Sequence, residues 1–276
     1  MTINNIVQTR QTERQLQTMT ERLSSGQRVN SARDDAAGLG IGQKMEAQIR
    51  GLERAISNVQ DMQSLVNTAE GGLSGINDNL LRMRELTIAS ANDTNTPEDR
   101  ANMQAEVAQL AAEIDSQAAN TQWNGMRLLD GSFNAEDRRG LHTAADANGR
   151  GPMVSLGNMS FSMIMGPGEY NIGAGFNPEQ DTAGALARID NALMKVNSQR
   201  SYLGAMSNRF DSTIASNQIA NLNQQASRSR IMDQDMARGI SQYQQLSVML
   251  ETQTRMQAER QEQEKQRGAT IASMTG

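Results

Sequence analysis

Cysteine is absent from the 276 residues, and histidine occurs once, at His142. Without thiols there is no disulfide framework, no thiolate metal site and no cysteine nucleophile. A single imidazole rules out paired-histidine metal sites, and a Ser-His-Asp triad would have to use His142. Aromatic residues are 3% of the chain and hydrophobic residues 37%. So few large side chains favour narrow apolar stripes between long helices over a compact core of normal size. The formal net charge is −5 and the pI about 5.1, which argues against a nucleic-acid partner. No run reaches the ~18–20 apolar residues of a bilayer span, so no membrane insertion is expected. Met1–Arg14 is polar, without the apolar middle of a cleavable signal peptide.

Breakers are unevenly spread. Proline is missing from residues 1–96 and 179–276, whereas Gly131–Gln180 holds nine glycines and three of the four prolines. Gly and Pro punctuate turns and break helices, so helical flanks enclose a non-helical middle. In the first flank Met45, Leu52, Val59, Val66, Leu73 and Leu80 lie seven apart. Ile49 and Ile56, then Met62, Ala69, Ile76 and Met83, accompany them with a phase shift near Gln60. This spacing predicts a helix over Gln43–Asn92, roughly 75 Å long at 1.5 Å per residue. Thr96 as N-cap, Pro97 at the first helical position and Glu98-Asp99 predict a second start, with Asn124-Gly125 ending that helix. Ile189, Val196, Leu203 and Phe210, again seven apart, predict a helix from Asp181-Thr182 to about Gly239. The two long stripes cover each other most economically, parallel or antiparallel, with Ala105–Ala119 joining the bundle.

The middle reads as strand and turn: Met153–Leu156 and Phe161–Met165 predict one or two small hairpins. The fold class expected is mainly α, an elongated bundle of long helices from both chain ends with a small β-hairpin region inserted in the middle.

The residues that could carry chemistry do not form a site. His142 has no orienting carboxylate or nucleophile at motif spacing and reads as a surface or strand histidine. Gly38-Leu39-Gly40-Ile41-Gly42 follows polar residues rather than a strand, which fits a tight connection between helices better than a phosphate loop. Asp34-Asp35 fits helix capping beside Ala36-Ala37 better than a cation site. No catalytic, cofactor-binding or metal site is expected. Met153–Met165 offers either a contact surface or hairpin core. Glu251–Arg267, with Met256 and Ala258 as its only apolar residues, reads as a solvated helix or a frayed tail.

At Leu23 the chain reads L-S-S-G-Q-R-V-N-S-A-R-D-D-A-A-G-L, ending at Leu39. This stretch resembles the N-terminal signature of bacterial flagellins. So do Gln48–Leu52, Asn67–Leu73, Leu81–Leu86, Ala91–Asn95 and Asn124–Gly131, then Arg200–Phe210 and Ser229–Ala237 at the other end. The similarity covers about 22–131 and 182–240, several ordered motifs at family spacing.

The resemblance implies a structural subunit, not an enzyme, exported without a cleaved signal peptide to the extracellular flagellum, where it polymerises into a helical filament for motility. It implies residues 1–42 as N-terminal inner-tube helix and connection, and 43–131 as the N-terminal part of a helical rod domain. Residues 132–180 would be a short variable region, 181–239 the C-terminal rod helix, and 240–276 an inner-tube segment, here unusually polar. Implied partners are further copies of the chain, an export chaperone and the export apparatus, filament cap and hook-junction proteins, and the Toll-like flagellin receptor of animal hosts. Arg82, Leu86 and Glu106 occupy the family's receptor-contact positions. Alternatives are the hook–filament junction protein, which shares the terminal helices, and a non-polymerising coiled-coil signalling or adhesion module. The few apolar positions before Leu23 and the polar Thr252–Arg267 add an expectation of weakened polymerisation.

Overall fold

An apolar stripe on a helix is stable only when something covers it, and two such stripes at opposite ends of the chain decide the architecture. The computed structural model describes residues 2–133, 141–142, 146, 150–165 and 182–275. The described residues are 81% helical, with long helices at both ends and a small strand region between them. In chain order the elements are α1 (Thr2–Ser25), α2 (Ala36–Ser90), α3 (Pro97–Asn120), β1 (Gln122–Trp123), β2 (Met126–Arg127), β3 (Leu141–His142), β4 (Met153–Val154), α4 (Phe161–Met165), α5 (Thr182–Met232) and α6 (Met236–Thr275). They form two compact units: residues 50–221, and residues 1–49 with 222–276.

In the unit of residues 50–221 the heptads meet. Val59, Val66, Leu73 and Leu80 of α2 share one buried cluster with Ile189, Val196, Leu203 and Phe210 of α5 and Val107, Ala111, Ile114 and Ala118 of α3. The second series of α2 joins it through Ala69, Ile76 and Met83, all fully buried. Polar pairs along the edge fix the register: Gln63 with Asp211 at 2.7 Å, Glu70 with Arg200 at 2.8 Å and Arg84 with Asp190 at 2.8 Å. Residue numbers rise along α2 as they fall along α5, so the two helices are antiparallel.

Helix α3 starts as its sequence predicts. Thr96 accepts the Asp99 N–H, and the Asp99 carboxylate accepts from the Thr96 backbone, a reciprocal capping box with Pro97 in the first turn. The end of α3 differs from expectation: the helix stops at Asn120, and Asn124-Gly125 instead makes the two-residue turn of a β1–β2 hairpin. Positive φ at both positions, 50° and 76°, is the backbone of a type I′ turn. The hairpin lays Trp123 half-buried on the core and leads into the fully buried Leu128 and Leu129.

The middle holds one of the two expected strands. Met153–Val154 pairs with Leu141–His142, so His142 lies opposite Met153 in a strand. Phe161–Met165 is helix α4, not strand. Its buried residues, Phe161, Ile164 and Met165, recur at helical spacing. Asp115 Oδ1 accepts the Phe161 N–H at 2.8 Å, and the Lys195 ammonium donates to the carbonyls of Met163 and Ile164. Met159 and Met165 are core, while Met153 and Met163 face solvent. Gln199 and Tyr202, one and two turns on from Lys195, hydrogen-bond the backbone of Met153 and Ser155. Readings that touch 134–140, 143–145, 147–149 and 166–181, including Asp181 as a helix start, lie outside the described residues.

In the unit of residues 1–49 and 222–276, α1 packs against α6. Gln257 donates to Thr9 at 2.7 Å, and Leu23 packs at Gly239, so this pair too is antiparallel. Near it the start of α2 pairs with the end of α5 through Glu46 and Arg228 at 3.1 Å and through Gln48 and Gln224. Helix α2 begins at Ala36, seven residues before the expected start. The Gly38–Gly42 stretch is therefore helical rather than a connection, and Gly42 admits the Met232 side chain. Asp35 caps this start by accepting the Gly38 N–H at 2.8 Å. The C-terminal helix does not run unbroken to Gly239. It is interrupted at 233–235, where Asp235 caps α6 through the Arg238 N–H. Glu251–Arg267 is helical and mostly exposed.

Three outcomes follow for denaturation experiments. Phe210→Ala, emptying a fully buried site, is expected to cost about 3–5 kcal/mol in a urea titration. A Cβ at Gly72 would meet the Thr121 side chain and Leu129, whereas Gly71 faces open space. Gly72→Ala is expected to lower the melting temperature, and Gly71→Ala to stabilise by about 0.5–1 kcal/mol. Hydrogen bonds from Thr96 hold the Asp99 carboxyl below its usual 3.8. Its contribution is present above that value and lost as pH falls through the lower folded value. Asp99→Asn is expected to flatten that acid-side loss in melts recorded from pH 5 downward.

Candidate functional site

The residues singled out for recognition sit where α2 passes α3. Arg82 is half exposed. Its Nη2 lies 2.8 Å from Glu106 Oε1, and its Nη1 lies 3.3 Å from Glu85 Oε2. The hydrogen bonds it donates to Glu106, then to Glu85, hold the guanidinium above its ordinary pKa, so it stays charged. Leu86 is 7% exposed and belongs to the core cluster that contains Met83. The fold thus joins Arg82 to Glu106 and turns Leu86 inward into the core. Glu85, at i,i+3 from Arg82, joins the pair. Leu81 and Ile88 are 44% and 48% exposed. They lie seven apart and off the Leu80–Met83 stripe, which places them on the outer face beside Glu85.

The other unit shows an unusual distribution. Buried positions of α1 include Thr9 and Thr12, so its packing is partly polar. Large apolar side chains are instead left in solvent: Ile6 and Val7 on α1, and Ile240, Tyr243, Val248, Met249 and Met256 on α6. Val248, at 61%, is among the most exposed.

Where α1 and α5 end, their backbones clasp each other. The Arg28 N–H donates to the Met232 carbonyl at 2.6 Å, the Gln234 N–H to the Gly26 carbonyl at 2.9 Å, and Arg28 Nη2 to the Ile231 carbonyl at 2.7 Å. Gln27 and Asp233 form an antiparallel bridge. Gly26 turns the chain into this clasp at φ +69°. Val29 is buried under it, and Asp34, held below its ordinary pKa by hydrogen bonds from Ser31, lies 3.5 Å from Arg22. The Leu23–Leu39 motif is therefore the sequence of a structural joint. Among the described residues no three of His, Cys, Asp and Glu gather as metal ligands, and no helix is long and apolar enough to cross a membrane.

A helical subunit whose first and last segments pack together, with apolar side chains left outside, belongs to the class of structural assembly proteins. Residues 1–134 match the bacterial flagellin N-terminal helical region, and residues 186–266 match the bacterial flagellin C-terminal helical region. A flagellar filament 30.7 kDa core protein of Treponema maltophilum is 39% identical over 251 residues, covering 89% of this chain and 88% of the relative. A flagellin of Halalkalibacterium halodurans is 39% identical over 243 residues, covering 88% and 87%. The solved structure of a putative flagellar hook-associated protein from Vibrio parahaemolyticus shares the fold, with a TM-score of 0.59 at 17% identity over 72% of this chain and all of that one. The chain belongs to the bacterial flagellin family. That family is structural and non-enzymatic, and its members self-assemble into the extracellular flagellar filament.

The clasp can be tested at its turn. Gly26→Ala is expected to destabilise by roughly 1–2 kcal/mol, the cost of a left-handed backbone at a residue with a Cβ. Gly40→Ala, at a helical glycine facing open space, is the contrasting control by circular dichroism melting.

Proposed function

We propose that this chain builds the filament through the uncovered side of its α1/α6 pair, and that its occupant there is a second copy of the same chain. The observation that carries this reading is the set of exposed apolar side chains on α6, Ile240, Tyr243, Val248, Met249 and Met256. Apolar surface left in water favours association, and a copy with the same pattern covers it by repetition into an open helical assembly. Because the mostly exposed Thr252–Arg267 of α6 is almost wholly polar, that part of the contact is weak, and a high critical concentration is expected. The polymer so formed serves motility. Before assembly the same open helix is what an export chaperone would cover on the way to the export apparatus. At the growing end the filament cap receives the subunit, and at the base the hook-junction proteins do.

The second part of the proposal is recognition by the Toll-like flagellin receptor of animal hosts. The Arg82–Glu106 pair, with Glu85 beside it, offers a charged surface on two helices. Hydrogen bonds donated to both carboxylates preorganise the guanidinium, which supports its role as the central contact.

Val248→Glu is expected to leave helix content unchanged while raising the critical concentration for seeded filament growth about tenfold or more, read by sedimentation and electron microscopy. Filaments forming at the same concentration would remove α6 from the contact. In a reporter-cell assay Arg82→Ala and Glu106→Ala are each expected to lower receptor activation; unchanged activity in both would refute the recognition reading. Leu86→Ala is expected to act through stability, lowering the melting temperature as well.

A further inference from the structure

The methionines span the full range of exposure. Among the described residues Met153, Met163, Met194, Met236, Met249 and Met256 are 38–62% exposed, whereas Met19, Met83, Met159, Met165, Met206 and Met232 are at most 8% exposed, and Met45, Met62, Met103 and Met126 lie between. Three of the exposed set, Met236, Met249 and Met256, lie on α6 among Ile240, Tyr243 and Val248. We propose that these three thioethers are oxidation sites through which peroxide-class oxidants control filament assembly. The inference rests on the assembly reading above and adds a chemical regulation to that surface.

The chemistry follows from the side chain. A thioether sulfur attacks one oxygen of hydrogen peroxide; the O–O bond breaks, an S–O bond forms, and the second oxygen leaves as water after proton transfer. The sulfur gives up two electrons and the peroxide is reduced by them. An unbranched apolar side chain becomes a polar sulfoxide with a strong acceptor oxygen. In the free subunit that oxygen is solvated at no cost. Against the apolar face of a second copy it has no donor, and burying it there opposes association. Oxidation therefore acts on the free subunit, while the filament, by covering α6, protects the three sulfurs. A methionine sulfoxide reductase reverses the change.

The test uses the full-length chain. Free subunits treated with hydrogen peroxide are digested and read by mass spectrometry, and their seeded assembly is followed by sedimentation. The six exposed methionines are expected to convert before the six buried ones, and the critical concentration to rise about tenfold. Treatment with a methionine sulfoxide reductase restores it. The triple variant Met236→Leu, Met249→Leu, Met256→Leu is expected to assemble alike before and after peroxide. Met153→Leu, Met163→Leu, Met194→Leu stays sensitive. Preformed filaments are expected to keep the α6 methionines reduced. Unchanged assembly of the oxidised chain, equal sensitivity of the α6 leucine variant, or equal conversion of these residues in filaments and free subunits each overturns the proposal. An untreated chain that never assembles overturns the assembly reading itself.

Discussion

Burial of the α2 stripe is the constraint on which the rest of the fold depends. Val59, Val66, Leu73 and Leu80 cannot be covered by the residues next to them in sequence, because a helix presents them all on one side. Their partners come from Ile189 to Phe210, more than a hundred residues later. The long-range pairing draws the chain's two flanks into one antiparallel bundle. Helix α3 fills the remaining side, and it can approach closely because Gly72 and Gly75 leave room for Thr121 and Gln117. Ion pairs at the edges, such as Arg84 with Asp190, set which turn of α2 meets which turn of α5.

What was legible in the sequence was the part governed by period and by caps. A seven-residue repeat has few other readings, and Thr96-Pro97 carries its own start signal. The misread parts were those in which a distant group decides a local conformation. Phe161–Met165 is short and almost uniformly apolar, so its period is ambiguous; Asp115 and Lys195, from two different helices, settle it as a helix. Glycines at 38, 40 and 42 look like breakers, yet Asp35 caps that segment, and the cap together with α5 packing at Gly42 outweighs their low helix propensity. The interruption at 233–235 follows from the clasp with Gly26 and Arg28, two hundred residues away. The local residues offer only the Asp235 cap as a signal for it.

The residues proposed for recognition show the same division. Spacing and motif placed Arg82 and Glu106 on neighbouring helices, but not their direct contact, which depends on how α3 lies against α2. Leu86 falls on the stripe side of α2 and belongs to the core. In the other unit the usual arrangement of polar outside and apolar inside is partly reversed, with Thr9 and Thr12 buried and Val7 and Val248 in water. A surface of that kind is poorly suited to an isolated molecule and well suited to one that is completed by its neighbours.

The single indole of the chain gives this division a spectroscopic side. Trp123 sits half-buried on the core of the unit of residues 50–221, while the α1/α6 pair carries Tyr243 and no tryptophan. Tryptophan emission therefore follows the loosening of one unit alone, and fraying of the terminal helices passes unseen in that signal while it lowers the far-ultraviolet ellipticity.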